Sequence, residues 1–285
     1  MLSTVLVSKS LINSTKINKI YEEYRTFNNS IKMFYDTYDC NAGDCTALQI
    51  PDLVAASAGG MSPNTVAGGT CFTNNTTANG SFVVLKTNLI ESTAKRSCQF
   101  IELQLAGFIT GIDPQYTTLT DSIAGKNLPY AKFNKIGAWD FRYISNGYTA
   151  VTNSYIYPQE QSINNMFLNK HALVLRNATT ITGTLSDIAE YNSVIPANAT
   201  YALSASLSMA LDLKFDDGLP LSGSIMGGVN AVALNHGSGP NSGATAHCST
   251  VVWPNPNYSV TKYYLSGNDI NKGCLVAFAV DLPSF

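Results

Sequence analysis

"INKIYEEYRTFNNSIKMFYDTY", residues 17–38, decides how the chain begins to fold. Ile17, Ile20, Tyr24, Phe27, Ile31, Phe34 and Tyr38 follow one another at intervals of three, four, three, four, three and four, the spacing that keeps side chains on one stripe of an α-helix. The positions between them carry Asn18, Lys19, Glu22, Glu23, Arg25, Asn28, Asn29, Lys32 and Asp36, so a narrow buried seam and a wet opposite face are expected. Upstream, "MLSTVLV" is apolar all round and "SKSLINSTK" turns polar. Seven residues cannot cross a bilayer, which takes about 20. One continuous helix over residues 2–38 would run about 55 Å at 1.5 Å per residue, longer than the domain it packs on. Its first two turns would then project uncovered unless another chain covers them.

The chain has 285 residues, 45% of them apolar, enough to bury a sizeable core. Charged residues are only 13%, and the net charge of −2 rules out broad electrostatic attraction to nucleic acid or anionic lipid. Abundant Ser, Thr, Asn and Gly suit a secreted or surface protein built of strands and polar turns. Cys40, Cys45, Cys71, Cys98, Cys248 and Cys274 form an even set without a C-x-x-C pair, which in an oxidising compartment means three disulfides; fifteen pairings are open to it. "DCNAGDC", residues 39–45, brings two of the six close enough to staple a turn. Asn-x-Ser/Thr sequons at Asn13, Asn74, Asn177, Asn198 and Asn257 carry no weight in so Asn- and Thr-rich a sequence.

Residues 55–80 are Gly-, Ser-, Asn- and Thr-rich without a sustained period and read as a long surface loop with room for one short strand. A second helix is expected in "ESTAKRSCQFIELQLAGFITG", where Cys98, Ile101, Leu105 and Phe108 recur at helical spacing and Gly107 sits at a C-cap. Strand character follows in "AWDFRYI", "YTAVTNSYIY", "HALVLRN", "SGSIMGGVNAVAL" and "GCLVAFAVDL", with a short third helix in "TLSDIAEYNSV" capped by Ser186 and Asp187. Helices first and antiparallel strands afterwards define an α+β domain.

In this order the features resemble the type IV pilin-like proteins and type II secretion pseudopilins, bacterial proteins with prepilin-type N-termini and large globular heads. "VLVSKSLINSTKINKIYEEYRTFNNSIKMFYDTY" looks like the second half of that family's long first helix, and "ELQLAGFITG" like its "LALAGLI.G" helix. "NLPYAKFNKIGAW" resembles its Pro- and Lys-containing segment before an aromatic strand, "HALVLRN" its "NALVLG", and "LDLKFDDGLPLSGSI" its "iDtKiDDG.P.sG.v" segment. The resemblance runs from Val5 to Leu282. It implies a pilin-like α+β fold: an N-terminal helix over residues 1–38 packed on an antiparallel β-sheet head over residues 39–285, with large loops and disulfides.

The function it implies is that of a non-catalytic subunit of an extracellular, cell-surface pilus-like or pseudopilus filament. Its partners would be other pilin subunits, met through the N-terminal helix, and it would pass through the periplasm and inner membrane before assembly. Family members carry about 20 apolar residues ahead of this point as membrane anchor and filament core. Here only "LSTVLV" stands in that place, which implies a longer gene product, a trimmed chain or lost membrane insertion. A Cys248–Cys274 bridge would close the C-terminal region in the manner of the pilin D-loop, and Cys40–Cys45 with Cys71–Cys98 would complete a local pairing scheme.

Catalytic chemistry finds little footing. His236, and His247 beside Cys248, are the one cluster able to bind metal or activate a nucleophile, and H-E-x-x-H, C-x-x-C, a G-x-S-x-G elbow and a phosphate-binding Gly-rich loop are all absent from the sequence. No catalytic residue and no cofactor is assigned. Asp212, Asp216 and Asp217, with Gly218 beyond, offer the oxygen ligands that calcium requires; "DDG" reads more simply as a strand-end turn. The alternative function is a soluble or viral secreted, adhesin-like surface-binding protein, in which the first helix would be covered by its own domain. In either case the loops of residues 55–80 and 235–262, with Trp253 and Tyr258, suit surface contacts.

Overall fold

A computed structural model describes residues 2–43, 45, 48–53, 93–113, 121–133, 137–144, 170–176, 180–182, 203–219, 223–229, 249–250, 262–263, 273–280 and 282. The first helix, α1, runs without interruption over Leu2–Tyr38. Ile17, Ile20, Tyr24, Phe27, Ile31 and Phe34 are buried, and Tyr38 is half-buried against the same core. The wet face is narrower than the residue types imply, because Glu23, Asn28, Ser30 and Tyr35 are buried as well. The physical reason is that α1 is wrapped by two further helices as well as lying on a sheet, so more than one stripe meets protein.

The second helix, α2, spans Thr93–Leu105. It ends as the sequence requires: Gly107 takes φ +77°, Phe108 N–H reaches Leu103 O at 2.9 Å and Gly107 N–H reaches Gln104 O at 3.0 Å. Those two bonds satisfy carbonyls that the helix end would otherwise leave bare. Gln99, Phe100, Ile101, Glu102 and Leu103 are all buried, so this helix too is enclosed on more than the expected Ile101–Leu105–Phe108 stripe.

The strands are β1 (Asp121–Ile123), β2 (Ala138–Ile144), β3 (Lys170–Arg176), β4 (Thr180–Thr182), β5 (Leu203–Ser204), β6 (Ile225–Val229), β7 (Ser249–Thr250), β8 (Lys262–Tyr263) and β9 (Gly273–Val280). The main sheet is antiparallel, ordered β2-β3-β9-β5 with β6 also paired to β9; β1 pairs with β4, and β7 with β8. Its register sets Trp139 opposite Leu175, Phe141 opposite Leu173, and Leu173 opposite Phe278. Since side chains alternate along a strand, these large residues share one face, the one that receives α1. The other face carries Asp140, Ala172, Val174, Ala277 and Ala279, all buried too, which is why β3 and β9 read as near-continuous apolar runs. In β6 the pairing shifts between Met226 and Val229, where the two intervening glycines accommodate a bulge.

The sequence reading missed the helix over Ala205–Phe215, here α3. Ser204 caps it, its Oγ accepting from Leu207 N–H at 3.3 Å, and Leu203, Leu207 and Leu211 follow at intervals of four. Asp216 is its C-cap. "DDG" is therefore the exit of a helix, a correction to the strand-end turn, and helices do not all precede strands. "YTAVTNSYIY", "TLSDIAEYNSV" and the loop of residues 55–80 lie outside the described residues.

Candidate functional site: the seam between the first helix and the head

Aromatic contacts build the seam. Tyr24 stacks on Phe278 with ring centroids 4.7 Å apart and donates its hydroxyl proton to Ala279 O at 2.8 Å. Phe27 meets Trp139 of β2 at 5.8 Å and Phe100 of α2 edge-on at 5.9 Å, and Phe34 meets Phe108 edge-on at 6.2 Å. On the flank, Tyr21 lies parallel to Phe215 of α3 at 3.7 Å, and Lys214 Nζ donates to Asn18 Oδ1 at 2.6 Å. Such aromatic pairs contribute about 0.5–1.5 kcal/mol each beyond the area they bury.

A second stripe, Glu23, Phe27, Ser30 and Phe34, runs beside the first with the same alternation of four and three. It carries two further polar contacts. Trp139 Nε1–H donates to Glu23 Oε2 at 2.7 Å, both residues being buried, and Ser30 Oγ donates to Phe108 O at 3.0 Å. Burial holds the Glu23 carboxyl above its usual range; the Trp139 bond, the backbone N–H groups of Lys132 and Phe133 and the Lys132 ammonium pull the other way without outweighing it. The sequence reading placed Glu23 and Asn28 on the wet face. The signal that could have found Glu23 lay elsewhere in the chain: a buried tryptophan needs an acceptor for its N–H.

At the foot of α1 the chain turns through Asp39, a non-glycine residue at φ +52°, into the bridge between Cys40 and Cys45, whose Cα atoms are 5.4 Å apart. Gly43 N–H then donates to Glu102 Oε2 at 2.6 Å, docking the stapled turn on α2. Cys71 and Cys248 lie outside the described residues, as do the side chains of Cys98 and Cys274, and with them the other two expected bridges. His236, His247, Trp253 and Tyr258 lie outside them as well.

The structure brings the acidic set together: carboxylate oxygens of Asp212, Asp216 and Asp217 lie within 4.8 Å of one another. Each also accepts a backbone N–H, Asp212 Oδ1 from Gly218 at 3.1 Å, Asp217 Oδ1 from Leu219 at 2.8 Å and Asp216 Oδ2 from Ile225 at 2.7 Å. The carboxylates thereby fold the segment that leads from α3 back into β6. Burial first, and the neighbouring Asp217 charge with it, hold Asp216 above its ordinary range, while the Ile225 and Ser224 hydrogen bonds pull the other way without outweighing them. Three carboxylates suit a hard cation, and the loop's own hydrogen bonds already account for their grouping.

No family model, curated protein or solved structure matches the chain. Among the described residues no helix is long and apolar enough to cross a membrane.

Proposed function

We propose that the chain is a non-catalytic structural subunit of an extracellular type IV pilus-like or pseudopilus filament, joined to neighbouring subunits through α1. The observation that supports this reading is a division along one helix. From Ile17 onward α1 is bound into the head, whereas Leu11 and Ile12 are 67% and 55% exposed. Two adjacent large apolar side chains on a helix gain free energy when an apolar surface removes them from water, at roughly 25 cal/mol per Å². A neighbouring α1 offers such a surface. The α+β fold with a long N-terminal helix on an antiparallel sheet is the architecture this role requires.

Expression of the complete open reading frame, with any coding sequence upstream of Met1, in cells carrying a filament-assembly machine tests the reading by electron microscopy. Filaments labelled by antibody to the head are expected. A soluble periplasmic pool with no labelled filament would overturn it and put the secreted surface-binding protein in its place.

A further inference from the structure

Glu23 is an ionisable residue buried in the seam itself, against the Trp139 indole. Its Oε2 holds the indole N–H of Trp139, and Trp139 in turn packs on Phe27 at 5.8 Å and on Phe278 at 5.5 Å. The pair therefore ties the middle of α1 to β2 and, through Phe278, to β9. Among the described residues its Oε1 has no hydrogen-bond partner. A carboxylate so placed keeps only part of the solvation it would have in water, so the charged form of the closed seam is the costlier one.

We propose that Glu23 and Trp139 form a pH-responsive latch that holds α1 on the head more tightly in acid than at neutral pH. The contact survives protonation, because a neutral carboxyl still offers an oxygen to the indole N–H while shedding the buried charge. Among the described residues Lys132 is the charged group acting on Glu23 from the facing turn, and it opposes the burial without cancelling it. The rings of Phe27, Trp139 and Phe278 carry no titratable group. On α1 itself Lys19, Glu22 and Arg25 are exposed, and the Tyr24 hydroxyl is engaged with Ala279 O. Protonation favours the closed seam below the ordinary carboxyl value of 4.5, and that advantage is lost as pH rises through the higher value of the closed state. The latch stands whether or not the chain forms filaments, since it concerns how one head holds its own helix.

Nuclear magnetic resonance of the 285-residue chain between about pH 3.5 and pH 8 tests it, following the Glu23 carboxyl carbon and the Trp139 indole N–H, the latter assigned with Trp253→Phe. Both resonances are expected to titrate together with a midpoint above 4.5, and the indole shift that follows Glu23 is expected to vanish in Glu23→Gln. The ratio of unfolding equilibrium constants, unmodified chain over Glu23→Gln, is expected to rise with pH by about tenfold per unit of elevation. An indole resonance indifferent to pH in that window, or a shared midpoint at or below 4.5, overturns the proposal. The titration of the unmodified chain decides even if the variant fails to fold.

Discussion

Trp139 Nε1 donates to Glu23 Oε2 at 2.7 Å across 116 positions of sequence, joining the first helix to the strand whose face it covers. Trp139→Phe removes the donor, shrinks a fully buried side chain and leaves the carboxylate buried without its partner. It is expected to destabilise the fold by about 2–4 kcal/mol in urea unfolding. Glu23→Gln keeps an acceptor in place and is expected to cost less than Trp139→Phe at neutral pH. The reverse order would show that the indole bond does not hold the seam.

Phe27→Ala and Phe34→Ala are each expected to cost about 3–5 kcal/mol, because both rings are buried against rings of other elements. Met33 lies between them in sequence and is 53% exposed. Met33→Ala is expected to stay within about 0.5 kcal/mol of the unmodified chain. Chemical denaturation of the three variants side by side separates seam from surface.

Opening the Cys40–Cys45 bridge frees a loop with a sequence separation of 5, for which the chain-entropy model gives about 2 kcal/mol. A Cys40→Ser/Cys45→Ser double variant is expected to lose that much stability. Peptide mapping without reduction is expected to recover the two cysteines in one cross-linked fragment. Recovery of Cys40 joined to a distant cysteine would contradict it.

Gly107 and Gly223 both sit at positive φ, +77° and +75°, but in different surroundings. A Cβ on Gly107 meets nothing within 4 Å, so Gly107→Ala carries only the backbone penalty of about 1–2 kcal/mol. A Cβ on Gly223 would collide with Asp216 Oδ2, the atom that accepts Ile225 N–H. Gly223→Ala is expected to cost about 2–4 kcal/mol by displacing that carboxylate. Equal thermal shifts for the two variants would argue against the loop geometry.

His171 is buried, stacked on Phe141 at 5.0 Å, and burial lowers its pKa from 6.5 to about 4. The unfolded chain therefore binds the proton first as pH falls. Stability from this residue is complete above 6.5 and is lost on descent toward about 4, on the order of 3 kcal/mol. Glu23 and Asp216, both raised, act in the opposite sense. His171→Phe is expected to gain stability relative to the unmodified chain as pH drops through that window, measured by urea unfolding. A constant difference between the two would exclude a neutral buried imidazole.

Local chemistry alone determined α1, the C-terminal end of α2 and the Cys40–Cys45 staple. A three–four spacing, a glycine after the last helical turn and two cysteines five positions apart each act within a few residues, where geometry follows directly from the chain. β3 and β9 were legible because strands buried on both faces are apolar along their length, and β2 because Trp139, Phe141 and Tyr143 alternate with Asp140 and Arg142. Sequence position could not reveal which polar residues of α1 are buried. Glu23 and Glu22 differ by one place and carry the same group, yet one meets the Trp139 indole and the other meets water. α3 escaped for a different reason: Asp212, buried in its last turn, and Asp216, at its cap, are of a residue type that favours turns, and they accept backbone N–H groups only six and nine positions further on, in the segment leading into β6. Burial of a charged group depends on a partner that arrives from far along the chain, and only the folded arrangement of helices on the sheet supplies it.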